Sequence, residues 1–256
     1  MSYREWSAGP APELACLWEQ RVGGSPHVQR VVPDGCMDLI WSPATGLLEL
    51  AGPDTAAFEV TMAPGTQAVG LRFRPGTAPP AIGVPADVVR NVHAPLRDLW
   101  GPAADHLAEE LTAAVDPAGT LRTAALRRLR CPALPPDPVA PALAGLLAGA
   151  EPLREVAARL GFSDRQLRRR SHAAFGYGPV TLRRILRFQR ALALARRGLP
   201  YAEIAARLGY ADQAHLAHEV RDLGGAPLSI LTGPGPRGAD VEAARRRPDR
   251  RTVGSA

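Results

Sequence analysis

EVAARLG at 155–161 returns as EIAARLG at 203–209, six of seven residues identical and 48 positions apart. Each copy is followed by an aromatic, a short polar turn containing Asp, and a second run of helical period: GFSDRQLRRR (161–170) and GYADQAHLAHE (209–219). A helix of about seven residues, a glycine turn and a longer helix is the outline of a helix-turn-helix unit. The plainer reading is a generic helical hairpin in an Ala-rich chain. Two copies in register, joined by the long helical stretch VTLRRILRFQRALALARR (180–197), argue against it.

Working outward, the C-terminal half reads as helix throughout. Asp137 with Pro138 can start a helix through ALAGLLAG. Gly161, Gly176, Gly198, Gly209 and Gly224–Gly225 stand where helix ends need a residue free to turn left-handed. Upstream, CPALPPDP (131–138) holds four prolines in eight residues and marks a domain boundary. Before it, AADHLAEELTAAV (103–115) and TLRTAALRRLR (120–130) carry apolar stripes of helical spacing. From 26 to 75 the period is that of strands: VQRVV (28–32), CMDLIW (36–41), LLELA (47–51), FEVTM (58–62) and AVGLRF (68–73), separated by turn sequences. PADVV (85–89) and PLRDLWG (95–101) predict short helical pieces. The fold class expected is α+β: an N-terminal small β-barrel-like domain with short helices, then an all-α domain of two helix-turn-helix motifs joined by a long helix.

Charge follows the same division. The chain has 256 residues, a net charge of +6, and no lysine, so all 31 basic residues are arginine. Residues 1–130 hold 11 Arg and 14 acidic residues, net −3; residues 131–256 hold 20 Arg and 11 acidic, net +9. Genome-wide codon bias toward arginine does not segregate charge; a polyanion-binding domain attached to something else does. Three cysteines with no CxxC pair fit a reducing cytoplasm rather than a disulfide framework. No run approaches the roughly 18 apolar residues of a membrane span, and no secretory leader is read at the N-terminus.

The strings AARLGFSDRQLRRR, FGYGP, RRILRFQRALALAR and AARLGYADQAHLAHEVRDLGGAP together resemble the DNA-binding domain of the AraC family of bacterial transcription regulators, over roughly 139–231. PDGCMDLIW, VGLRFRPG and PLRDLWG resemble a sensor-like domain that precedes this unit in some members. The resemblance implies a β-rich sensor-like domain at 1–101, a helical segment at 102–130, a linker at 131–138, the DNA-binding domain at 139–232, and an unstructured tail at 233–256. It implies a sequence-specific transcription regulator, not an enzyme. Its partners would be double-stranded DNA, a small-molecule effector, RNA polymerase and a second copy of the chain, with no membrane and no cofactor.

A linker helix of 18 residues is about 27 Å long and can hold two recognition helices about one DNA turn, ~34 Å, apart. In a family-like arrangement the first recognition helix offers Arg165, Gln166, Arg168 and Arg169 to DNA, and arginine suits a bidentate contact with guanine. The second offers Gln213, His215 and His218; His218 stands where the family commonly has Arg. Arg183, Arg184 and Arg187 on the linker helix are expected to reach phosphates, their face being left open. Residues 151–197 carry 12 Arg against three acids, while 198–235 carry two Arg against four, so the first motif and linker should anchor the complex. Ser171 departs from the family, which usually has Phe there.

Further candidates weigh less. Asp34, Cys36 and Asp38 alternate on one strand face near His27, yet two hard carboxylates with one thiolate match no common metal set; a turn followed by a strand is the simpler reading. No metal site is expected. A fused repair enzyme would need a four-sulfur zinc cluster that three cysteines cannot supply. A DNA-linked small metalloenzyme and a non-specific architectural DNA binder are the two competing functions. The tail RRRPDRR (245–251) reads as solvated rather than as a DNA arm. Leu107, Leu111, Leu121 and Leu129 are expected either to form a homodimer interface or to pack onto the strands.

Overall fold

The computed structural model describes residues 1–149 and 151–233; RRRPDRR and the rest of the tail beyond Gly233 lie outside them. The N-terminal domain contains β1 (Ser2–Trp6), β2 (Leu14–Arg21), β3 (His27–Val31), β4 (Met37–Ser42), β5 (Leu47–Ala51), β6 (Phe58–Met62), β7 (Gln67–Phe73), α1 (Pro79–Ile82), a 3₁₀ turn (Ala86–Val89), β8 (His93–Pro95), α2 (Arg97–Trp100), α3 (Pro102–Ala113) and α4 (Pro117–Arg130). The strands form two antiparallel sheets, one in the order β1-β2-β7-β4-β5-β8 and one a β3-β6 ribbon. The large sheet ends in two edges, β1 and β8, so the domain is β-rich but not a closed barrel.

The register explains the sequence pattern. Leu17, Leu71, Leu39 and Leu50 lie opposite one another across β2, β7, β4 and β5, all buried on one face. That face packs on α3 and α4, and burying each leucine is worth about 1.5–3 kcal/mol relative to leaving it in water. Gly70, on the other face of β7, lies opposite Trp18; a Cβ there would sit 2.1 Å from the indole, so only glycine admits the ring.

Of the two alternatives for the leucines of α3 and α4, packing onto the strands is the one the structure displays. Leu107, Leu111 and Leu121 are buried in the N-terminal core and Leu129 packs against it. Leu107, Leu111 and Leu121 are thereby used within the domain, while Leu129 stays partly exposed.

Residues 131–138 contain no helix or strand, but they are tied down on both sides: Ala133 N donates to Pro80 O, and Asp137 pairs with Arg170 at 2.8 Å. Beyond them lie α5 (Ala140–Leu147), α6 (Leu153–Arg159), α7 (Asp164–Phe175), α8 (Pro179–Arg196), α9 (Tyr201–Leu208), α10 (Gln213–Gly224) and α11 (Leu228–Thr232). They share one apolar core separate from the first, centred on Phe175, Ile185, Phe188, Ile204, Leu216 and Val220. The domains also touch: Gln189 Nε2 donates to Pro33 O at 2.7 Å, and the Tyr177 ring ends beside Gly35. No helix among the described residues is long and apolar enough to cross a membrane.

Candidate nucleic-acid interface

The two motifs are built by the same local rules. In the first, α6 buries Val156 and Ala157, Gly161 turns the chain with φ of 69°, and Phe162 N donates back to Ala157 O at 2.9 Å. In the second, α9 buries Ile204 and Ala205, Gly209 has φ of 70°, and Tyr210 N donates to Ala205 O at 2.9 Å. Up to this point the motifs correspond at an offset of 48. Then the offset changes. The N-caps are Ser163 and Asp212, the first buried leucines Leu167 and Leu216, and the left-handed C-caps Gly176 and Gly225, all 49 apart. The second turn carries one extra residue, and the two 12-residue recognition helices, α7 and α10, correspond residue for residue at the new offset.

This correspondence sorts the expected DNA contacts. Arg165, Arg168 and Arg169 are exposed on α7, and among the described residues none is in an ion pair. Gln166 is exposed but committed: Ser163 N donates to its Oε1 at 2.8 Å while Ser163 Oγ accepts from Gln166 N, a reciprocal N-terminal cap. His215 is its counterpart on α10 and behaves alike. Its Nδ1 accepts from Ala211 N at 3.2 Å, its ring meets Tyr210 edge-on, and its backbone N–H is held by Asp212. Gln213, Ala214, His215 and His218 are all exposed on α10; of these, His218 is the counterpart of Arg169 and Ala214 of Arg165. Ser163 escapes a reading aimed at DNA contacts, although S-x-x-Q before an apolar-periodic run is the signal for such a cap.

The linker arginines are placed against expectation. Arg187 Nη2 pairs with Glu219 at 2.7 Å and its guanidinium lies 4.1 Å over the Tyr210 ring. Arg184 pairs with the same Glu219 at 3.3 Å and with Asp222, whose hydrogen bond raises its pKa. Arg183 donates to Glu151 O, and burial lowers its pKa. Arg190 donates to Ala148 O. These contacts tie the side chains of Arg183, Arg184, Arg187 and Arg190 to neighbouring elements, and Arg183, Arg184 and Arg187 stay half-buried. Among the described residues of the C-terminal domain, Arg165, Arg168 and Arg169 on α7 and Arg196, Arg197 and Arg221 elsewhere are exposed and in no ion pair.

Ser171 is fully buried and its Oγ donates to Tyr177 O at 2.7 Å, across the turn between α7 and α8. The hydroxyl gives a buried turn carbonyl between the two helices its hydrogen-bond partner. Ser171→Ala is expected to lower stability by about 1–2 kcal/mol through that orphaned carbonyl, read as a lower melting temperature with the circular dichroism spectrum unchanged.

In the N-terminal domain, Asp38 is fully engaged. It accepts from Arg72 Nε and Nη2 at 3.0 and 2.9 Å and from Trp18 Nε1 at 3.0 Å. Asp34 accepts from Cys36 N at 2.8 Å, the turn geometry read from the sequence. Burial pushes the Cys36 thiol well up and the Cys16 thiol up to about 12, which disfavours the thiolate a metal needs. His27 lies apart on the β3-β6 ribbon, opposite Met62. Among the described residues no group of three or more His, Cys, Asp or Glu is placed to hold a metal ion.

Comparison with known proteins agrees with this division. Residues 10–95 match a domain of unknown function (DUF6597) and residues 144–230 match a helix-turn-helix domain. No curated protein is a significant match. Solved structures of ToxT from Vibrio cholerae are similar in outline. One, at 1.65 Å, is 10% identical over 83% of this chain and 97% of that one, with a TM-score of 0.43. Another, bound to (E)-4-(8-methylnaphthalen-1-yl)but-3-enoic acid, is 9% identical over 90% and 98%, with a TM-score of 0.44. A third, with an unsaturated fatty acid bound, is 8% identical over 90% and 93%, with a TM-score of 0.40. With the doubled motif on one linker helix and the domain match over 144–230, the chain carries a helix-turn-helix domain behind an N-terminal domain of unknown function.

Proposed function

We propose that this protein is a sequence-specific transcription regulator that sets α7 and α10 into successive major grooves on one face of the duplex, with the N-terminal domain as its sensing part for a small effector. The carrying observation is the pair of equivalent 12-residue recognition helices held on one 18-residue helix, with Arg165, Arg168 and Arg169 exposed on the first and, among the described residues, in no ion pair. The span of such a helix, about 27 Å, suits two grooves about one turn apart. Specificity is unequal. The first motif supplies three arginines suited to guanine edges; the second supplies Gln213, suited to adenine, and His218.

The test is selection of a preferred duplex from a randomised pool by the full chain, followed by footprinting. Two protected stretches about 10 base pairs apart on one face of the duplex are expected. Equal affinity for all pool members would instead make the protein an architectural binder.

A further inference from the structure

The N-terminal domain holds both recognition helices, and at the same end of each. At α7, the 3₁₀ turn Ala86–Val89 packs against the helix and Arg90 Nη1 donates to Gly176 O at 3.3 Å. The fit is close: a Cβ on Gly176 would lie 2.7 Å from the Pro53 ring and 3.1 Å from Ala86 O. At α10, Ala57 N donates to Leu223 O at 2.8 Å and Arg30 Nη1 reaches Gly224 O at 3.5 Å. Arg30 is itself held across the ribbon by Glu59 at 2.5 Å.

The last turn of a helix leaves carbonyls without partners and carries the negative end of the helix dipole. Arg90, Arg30 and the Ala57 N–H are thus caps supplied by another domain. The positions that face DNA lie at the opposite end of each helix: Arg165, Arg168 and Arg169 on α7, Gln213, Ala214 and His218 on α10. A 12-residue helix is about 18 Å long, so the grip leaves the reading ends free.

The two motifs are already joined by α8. A single bridge lets one motif twist or swing relative to the other. The N-terminal domain is a second bridge, gripping one motif through the segment around Arg90 and the other through the β3-β6 ribbon. Two bridges close a ring, and a ring fixes the pose.

We propose that Arg30 and Arg90 are positioning residues that lock the relative pose of α7 and α10, so that the N-terminal domain sets the half-site spacing the protein accepts. The proposal rests on the two-groove reading above. Neither arginine touches DNA in this arrangement; each acts through the end of a helix that does.

The test uses the full chain, the Arg30→Ala/Arg90→Ala double variant, the duplex selected from the randomised pool, and the same duplex with one base pair inserted between its halves. One inserted pair moves the halves about 3.4 Å apart and rotates them about 34°. The unaltered protein is expected to lose about tenfold or more in affinity on the insertion, and the double variant less than about threefold, because looser coupling makes two-site binding less sensitive to geometry. A merely structural role would weaken both duplexes alike and leave the penalty unchanged. Arg30→Lys/Arg90→Lys, which keeps a positive charge at the carbonyl end of each helix, is expected to restore part of the penalty. If the double alanine variant melts below the assay temperature, Arg90→Ala alone is read in the same way. A penalty equal in all variants overturns the brace while leaving the two-groove reading intact; a pool that yields no preferred duplex overturns both.

Discussion

Replacing Arg168 and Arg169 together with alanine is expected to cost about 2–6 kcal/mol at the preferred duplex, since a good bidentate contact to a base is worth about 1–3 kcal/mol of discrimination. Both side chains are exposed, and among the described residues neither is spent on an ion pair. Nothing in the fold depends on them, because the buried side of α7 is carried by Leu167, Ser171, Ala174 and Phe175. The melting temperature should therefore stay where it is while affinity collapses. Random duplex reports the other half of the answer. If the arginines read bases, affinity for random sequence falls far less than for the preferred one. If they meet only phosphates, both fall together and the slope of log affinity against log salt flattens by about 0.9 for each residue removed. That second outcome would remove Arg168 and Arg169 from sequence readout and leave the first motif as an electrostatic anchor.

The parts of this molecule legible in the sequence are those dictated locally. The repeat at 155 and 203 announces both motifs because each must bury one helical stripe and turn at a glycine. The strands from 27 to 73 form where alternation and turn residues predict them. β2 is hidden because a bulge between Leu14 and Cys16 breaks its alternation, and β8 because three residues carry no period. Whether the sheet closes is not legible either, since closure depends on which strands pair across the chain. The site shows the same limit. A one-residue insertion in the second turn moves every counterpart on α10 one residue along the sequence, about 100° around a helix, from where the offset of 48 would put it. His215 thus becomes the counterpart of Gln166, and each is held by its own turn. The arginines of α8 all look alike in sequence. Which of them brace the core depends on where Glu219 and Glu151 arrive from 35 and 32 residues away.

Glu219→Ala is expected to destabilise the C-terminal domain by about 2–4 kcal/mol, within and below the range for removing one partner of a buried ion pair. Glu219 keeps only 7% of its side chain exposed and accepts from two arginines, Arg184 and Arg187. Its counterpart on α7 is Arg170, which lies over Phe162 and pairs with Asp137, so each motif ties its turn aromatic to an ion pair by a different route. Without the carboxylate, Arg187 loses its acidic partner and Arg184 keeps only Asp222, with the two guanidiniums one turn apart on α8. Arg184 and Arg187 retain 37% and 22% exposure, so water relieves part of the repulsion and holds the cost below that of a sealed pair. In a small domain such a loss lowers the melting temperature by roughly 10 °C or more. Glu219→Gln keeps the shape and one acceptor and should lose less. The companion measurement is Arg187→Ala. If Arg187 braces α8 against α10, that variant melts lower while the salt slope of DNA binding keeps its value. If it contacts phosphate instead, stability holds and the slope flattens by about 0.9. The second result would return the linker helix to the DNA interface and reduce the ion pair with Glu219 to a feature of the unbound protein.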